Sequence, residues 1–177
     1  MKNKPIIFAG LLIAAAASLL VLAASRRLST STADSAPRVT TSQPSPAWEL
    51  KGVEGKAVKS SDFAGKVVIL DFWATWCGPC RMEIPGFIEL QKQYADKGLV
   101  VIGVSLDQDG ASTVKPLIEK MGLNYPIVLG DEAVVSAFGG IEGIPTTFIV
   151  DRAGNIVRKH VGYAPKAEFE TDIKPLL

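Results

Sequence analysis

The chain has 177 residues, 47% of them hydrophobic and 21% charged, and a formal net charge of +1; that length suits one domain plus an appendage. Without Lys2, Lys4, Arg26 and Arg27, which flank an apolar N-terminal run, 15 basic residues stand against 18 acidic ones, a net charge of −3. No basic stripe remains to meet a nucleic acid, and two cysteines with one histidine fall short of the four ligands zinc ordinarily takes.

Pro5 to Ala24 is uncharged and rich in Leu, Ile and Ala. A helix of that length rises about 30 Å, enough to cross the hydrocarbon core of a bilayer. Residues 1–27 are therefore expected to form a membrane anchor. A cleaved signal peptide is the alternative, with Val21-Leu22-Ala23 as a weak cleavage site, but the apolar part of such peptides runs to only about 7–15 residues. Basic residues at the two ends nearly balance, so charge alone barely orients the span. Residues 28–45 are rich in Ser, Thr, Ala and Pro without apolar periodicity, and are expected to be a flexible tether. Residues 46–177 make the domain.

Within it, Trp48-Glu49-Leu50 and Ala57-Val58 flank Gly52-Val53-Glu54-Gly55 and predict a small hairpin. Val67 to Trp73 is almost continuously apolar, as is Leu99 to Leu106, which predicts central strands covered on both faces. Between them Cys80 to Tyr94 is expected to be helical, with Ile84, Phe87, Ile88 and Tyr94 on one side and a kink at Pro85. Val114, Leu117, Ile118 and Met121 mark a second helix, ended by Gly122. Tyr125 to Leu129 predicts a short strand. Asp131 is placed to cap a helix carrying Val134, Val135 and Phe138 and stopped at Gly139-Gly140. Thr147 to Val150 and Ile156 to Val161 predict a hairpin, and Pro165 opens a terminal helix with Phe169, Ile173 and Leu176 on its core face. This alternation implies an α/β sandwich, a mixed sheet with helices on both faces.

The only cysteines lie in Trp76-Cys77-Gly78-Pro79-Cys80, between the first central strand and its helix. Two thiols so spaced can close a small disulfide ring and open it again, and the first commonly has a lowered pKa. Haem attachment would need His after the second Cys, where Arg81 stands. A purely structural bridge across so short a loop would restrain the unfolded chain only weakly. Redox chemistry is the favoured reading. Cys77 opens a helix, where free N–H groups and the helix dipole stabilise a thiolate, so it is the candidate nucleophile. Cys80, one turn in and less exposed, is the candidate resolving thiol. Gly78 is expected to permit close packing, and Pro79 to stiffen the first turn without costing a needed donor. Trp76 is expected to flank the exposed thiol and form an apolar docking surface, while Trp73 reads as core. Asp71, if buried, must be neutralised or hydrogen-bonded, and burial raises its pKa. Glu83, a turn beyond Cys80, is either an ordinary exposed carboxylate at the helix start or a group near the redox pair. Met82 reads as helix packing and His160 as a solvated strand residue.

The run from Val67 through Asp71-Phe72-Trp73-Ala74-Thr75-Trp76-Cys77-Gly78-Pro79-Cys80-Arg81 resembles the active-site segment of thioredoxins. Glu83-Ile84-Pro85 follows as in the TlpA/ResA-like branch of membrane-tethered thiol-disulfide oxidoreductases. Gly143-Ile144-Pro145-Thr146-Thr147-Phe148 resembles the segment that carries the cis-proline of that fold. The similarity runs from about Pro46 to the C-terminus. It implies a thioredoxin-like sandwich, with residues 107–142 supplying the extra helix-strand element of this branch. It also implies that Asp71 moves a proton to or from Cys80, that Glu83 influences the acid-base behaviour of the pair, and that Pro145 is cis and opposite the disulfide. Ile144 would then offer backbone groups to an extended client segment.

The resemblance further implies a domain in the periplasm or extracytoplasmic space of a bacterial cell, held to the membrane by the N-terminal helix or secreted after signal cleavage. It would reduce disulfides of client proteins such as apocytochrome c, with electrons from a DsbD/CcdA-type membrane protein. No cofactor beyond the Cys77–Cys80 disulfide, no resident metal and no nucleic acid is expected, and the chain is read as a monomer. Two alternatives stay open: a copper-handling assembly protein that uses the dithiol as a soft Cu(I) ligand, and a disulfide-forming oxidase. A peroxidase would set its cysteine in Thr-x-x-Cys, which Thr75-Trp76-Cys77 does not match.

Overall fold

The computed structural model describes residues 43–177. The expected anchor and most of the expected tether lie outside the described residues, among which no helix is long and apolar enough to cross a membrane. In chain order the elements are β1 (Gln43–Pro44), β2 (Glu49–Gly52), β3 (Ala57–Lys59), β4 (Val67–Trp73), α1 (Gly78–Tyr94), β5 (Leu99–Ser105), α2 (Ala111–Met121), β6 (Ile127–Leu129), α3 (Glu132–Ala137), β7 (Thr146–Val150), β8 (Asn155–Val161) and α4 (Lys166–Ile173). The strands form one mixed sheet in the order β1-β8-β7-β4-β5-β6-β2-β3. β4 runs parallel to β5 and antiparallel to β7. Gln43 and Pro44, expected in the tether, pair with Ile156 and Asn155 of β8, so the sheet begins ahead of Pro46.

Every residue of β4 is buried, because each face of the strand has its own core. Val67, Ile69 and Trp73 pack with Ile84, Phe87 and Leu90 of α1, Val114 of α2, and Phe169 and Ile173 of α4. Val68, Leu70 and Phe72 pack on the other face with Val134 and Phe138 of α3 and with Phe148 and Val150 of β7. Alternation along a strand puts residues i and i+2 on one face. Asp71, between Ile69 and Trp73, therefore points toward α1.

α1 starts at Gly78, earlier than the expected Cys80, with Cys77 as its N-cap. It continues through Pro85, which lacks the N–H that would bond the Arg81 carbonyl. Asp131 caps α3 as expected, accepting from the Val134 N–H at 2.8 Å. Gly122 ends α2 at φ +67°, a left-handed conformation that suits glycine.

His160 is not the solvated residue expected. Its Nε2 lies 2.8 Å from Asp172 Oδ2 and its ring centroid 5.0 Å from that of Phe169. The cause is α4, which lies over this face of β8. Arg158 reaches the same carboxylate, Nε to Oδ1 at 3.5 Å.

Candidate redox site

β4 delivers the chain through Ala74–Trp76 directly to the start of α1. Cys77 sits at the N-cap, where its Sγ accepts the Cys80 N–H at 3.2 Å, and the two sulfurs are joined in a disulfide. Such a position presents free backbone N–H groups and the positive end of the helix dipole to any negative charge on Cys77. Cys77 keeps 4% of its surface exposed and Cys80 none. The expected order of exposure holds, but in the disulfide form Cys77 itself is largely covered.

β7 starts where its antiparallel neighbour β4 ends, Thr146 opposite Phe72. The loop entering β7 therefore arrives beside the disulfide. Its Ile144–Pro145 peptide bond is cis, and the Ile144 carbonyl oxygen lies 3.7 Å from Cys77 Sγ. Pro145 is buried and Ile144 half-buried. The Gly162 N–H donates to the Pro145 carbonyl at 2.8 Å, which holds the end of β8 against the same loop.

Two carboxyl groups lie beneath. Asp71 is buried, accepts from Thr147 Oγ1 at 3.1 Å, and has its pKa raised to about 7 by burial, against a smaller lowering from that hydrogen bond. Glu83 is buried as well, so of its two readings the ordinary exposed carboxylate falls away. The chain between β8 and α4 closes over it, and the Ala164 N–H donates to Oε1 at 2.7 Å while Oε2 has no hydrogen-bond partner among the described residues. Burial raises the Glu83 pKa to about 8, opposed by the Ala164 bond and assisted by the charge of Asp71. Tyr125, expected only as the start of a short strand, is buried on the same face, and its hydroxyl is pushed well above its ordinary value by burial and then by Asp71 and Glu83. Nothing local marks it, since it enters only through the strand that follows.

Several large hydrophobic side chains are exposed, and Trp76 adjoins Cys77 in the chain. Trp76 is 72% exposed, as expected of a docking residue. Met82 is 63% exposed rather than packed, because the buried stripe of α1 runs through Cys80, Glu83, Ile84 and Phe87 and passes it by. Val161 and Tyr163, either side of Gly162, complete this exposed set and were not foreseen; the available signal was two large apolar residues flanking a glycine at a strand end. Gly78 and Pro79 are exposed. A Cβ on Gly78 would meet nothing within 4 Å, so the expected close packing there is absent. Trp73 is core, as expected. Among the described residues no group of three or more His, Cys, Asp or Glu side chains could hold a metal ion.

A central strand that feeds a two-cysteine helix cap, closed from the side by a cis-proline loop, defines the thioredoxin-fold thiol-disulfide oxidoreductases. Residues 41–159 match the AhpC/TSA family, and the chain belongs to that family. The thiol-disulfide oxidoreductase ResA of Bacillus anthracis is 31% identical over 131 residues, 74% of this chain and 75% of that protein. The thioredoxin-like protein YneN of Bacillus subtilis (strain 168) is 37% identical over 129 residues, 72% of this chain and 75% of that protein. A crystal structure of a thiol:disulfide interchange protein, thioredoxin family protein, from Chlorobium tepidum TLS superposes with a TM-score of 0.71 at 34% identity, covering 78% of this chain and 98% of that one. The chain is thus a thiol-disulfide oxidoreductase with a Cys-x-x-Cys pair.

Proposed function

We propose that this oxidoreductase works as a reductant of client disulfides on the extracytoplasmic side of a bacterial membrane, anchored by residues 1–27. The observation that carries the direction of attack is the different placing of the two cysteines: Cys77 is the N-cap of α1 and keeps 4% of its surface exposed, while Cys80, one turn in, is fully buried on the face of Asp71. In the reduced protein the Cys77 thiolate attacks one client sulfur. The client S–S bond breaks, its other sulfur leaves as a thiolate and takes up a proton, and a mixed disulfide forms. Cys80 then gives its proton to Asp71 and attacks Cys77 Sγ, which breaks the mixed disulfide and expels the client's second sulfur as a thiolate that takes up a proton. Two electrons have passed to the client, and the Cys77–Cys80 disulfide remains.

A carboxyl near 7 accepts and returns a proton close to neutral pH, which suits Asp71 to this step; Glu83 is a second buried acid, itself raised in part by the charge of Asp71. Trp76, Gly78, Pro79 and the Ile144 carbonyl form the client's seat, the last as a backbone acceptor for an extended segment. The ResA-like kinship supports apocytochrome c as a client and a DsbD/CcdA-type membrane protein as electron donor.

Equilibration of the full-length protein with defined thiol-disulfide buffers tests the direction. A potential of about −250 mV or lower, near that of thioredoxin, is expected of a reductant. A value near about −120 mV would make the same residues a disulfide-forming oxidase. Labelling of the reduced pair in intact cells by a membrane-impermeant thiol reagent is expected, and protection until lysis would overturn the location.

A further inference from the structure

Cys77 is joined to β4 by three residues, and the last of them, Trp76, is largely exposed and packs into no core. Gly78 and Pro79 on its other side are exposed too. Ala74 and Cys77 are buried in the core, so the loop is anchored at its two ends. Between them, at Thr75, hydrogen bonds hold it, and they converge on one side chain.

β4 and β5 are parallel and end level with each other, Trp73 opposite Ser105. The Leu106 N–H donates to the Trp73 carbonyl at 2.8 Å as a last rung beyond the strands. One residue further on, the Asp107 carboxylate bridges what would be the next gap. Thr75 donates its N–H to Oδ2 at 3.0 Å and to Oδ1 at 3.2 Å, and its hydroxyl to Oδ1 at 2.6 Å. The carboxylate is itself held, since Ser105 Oγ donates to Oδ2 at 2.8 Å and accepts the Asp107 N–H at 3.2 Å. From this pinned loop the Ala74 carbonyl accepts the Cys77 N–H at 3.1 Å.

We infer that Asp107 is a positioning residue for thiol-disulfide exchange: by clamping Thr75 to the end of β5, it keeps Cys77 Sγ on the N-terminal axis of α1. The inference rests on Cys77 being the attacking thiol. Positioning and charge make opposite demands here. A negative charge bonded to Thr75, two residues before Cys77, disfavours a thiolate by repulsion, whereas correct placement at the helix N-terminus favours one. Asp131 and Glu132, which line the same cleft from the start of α3, stay in place in the variants below.

The test is the rate of Cys77 alkylation by iodoacetamide against pH, in the reduced full-length protein, with mass spectrometry to assign the modified cysteine. Asp107→Asn keeps the shape but loses acceptor capacity. It is expected to move the alkylation midpoint upward and to slow the reaction at pH 7 by about tenfold, one pKa unit. Thr75→Val, which removes only the hydroxyl bond, is expected to shift it less in the same direction, and Thr75→Ser to match the unaltered protein. A lowered melting temperature with an unmoved midpoint would reduce Asp107 to a structural latch and overturn the inference. A midpoint moved downward would show that charge outweighs placement and overturn it as well. Modification of Cys80 in the unaltered protein would remove Cys77 as the attacking thiol, a failure visible before any variant is compared.

Discussion

Asp71 and Thr147 stand directly opposite each other in the β4–β7 pairing, and Thr147 Oγ1 donates to Asp71 Oδ1 at 3.1 Å. An ionised carboxylate can accept about four hydrogen bonds, so a single neutral donor leaves most of its capacity unmet. On the other flank, β5 places Gly103 opposite Asp71 and offers no side chain at all. Burial therefore outweighs the hydrogen bond, and the carboxyl is held near 7 rather than at 3.8. A central strand that carries an acid on its helix-facing side has built a proton acceptor for neutral pH at some expense in stability.

That expense has a pH signature. The folded carboxyl binds its proton more tightly than the unfolded one. The stabilisation is fully present below about pH 4, is lost as pH rises toward 7, and stays lost above. The shift corresponds to a change on the order of 4 kcal/mol. Glu83, moved from 4.5 to about 8, adds a second loss of the same sign that extends to higher pH. The urea midpoint of the oxidised protein is expected to fall between pH 4 and pH 8, Asp71→Asn to remove part of the fall, and Asp71→Asn with Glu83→Gln to remove most of it. An Asp71→Asn slope equal to that of the unaltered protein would show that this carboxyl does not titrate in that window.

The charge of Asp71 also reaches Glu83. Since the charge of Asp71 is one cause of the high Glu83 value, Asp71→Asn should bring the Glu83 carboxyl down from about 8 while burial keeps it above 4.5. Carboxyl carbon NMR against pH reads this directly. An unmoved Glu83 would mean that burial alone sets its value.

In catalysis the same substitution should act on the second step. Removal of a positioned acid-base group commonly costs about 10²–10⁴ in rate, so Asp71→Asn is expected to slow release of the client from the Cys77 mixed disulfide by roughly 10²-fold. Alkylation of Cys77 should change far less. Stopped-flow fluorescence of single turnovers separates the steps, and equal slowing of both would remove Asp71 from the path to Cys80.

The parts legible in the sequence are those whose cause is local. β4 and β5 announce themselves by continuous apolar runs, Asp131 by its place before an apolar helix, and Cys77 with Cys80 by their spacing. What stayed hidden depends on contacts between distant segments. Glu83 is buried because Ala164 closes over it; His160 is covered because α4 folds back with Asp172; Val161 and Tyr163 join the site because Gly162 bonds Pro145. Met82 was misread because the stripe that α1 buries is set by where α1 crosses the sheet. Asp107 carries no mark in the sequence, because its bonds to Thr75 depend on β4 and β5 ending side by side.

Gly103 is where two side chains meet across a bare backbone. A Cβ there would lie 2.6 Å from Ile127 Cδ1 and 2.8 Å from Trp73 Nε1, inside any real contact. Gly103→Ala is expected to cost about 1–3 kcal/mol through overpacking and to alter the tryptophan fluorescence. Ile127→Val deletes the Cδ1 methyl, so adding it to Gly103→Ala should recover part of the loss. Without any recovery the clash would have to lie with Trp73 alone.

Arg152 works at the pole of the sheet away from the disulfide. It sits in the turn between β7 and β8, where its Nε donates to the Leu176 carbonyl at 3.2 Å and its Nη1 to Gly65 at 3.1 Å. Nη2 donates to Lys97 at 2.8 Å and to Leu177 at 3.1 Å. One guanidinium thus gathers the entry to β4, the entry to β5 and the segment after α4, which no single-point cation can span. Arg152→Ala and Arg152→Lys are both expected to lower the melting temperature by several degrees, while the Cys77–Cys80 potential and the alkylation midpoint stay where they are. Full stability in Arg152→Lys would show that charge suffices without the fork. A shift in the potential would mean that the two poles of the sheet are coupled, and that the clamp below helps set the chemistry above.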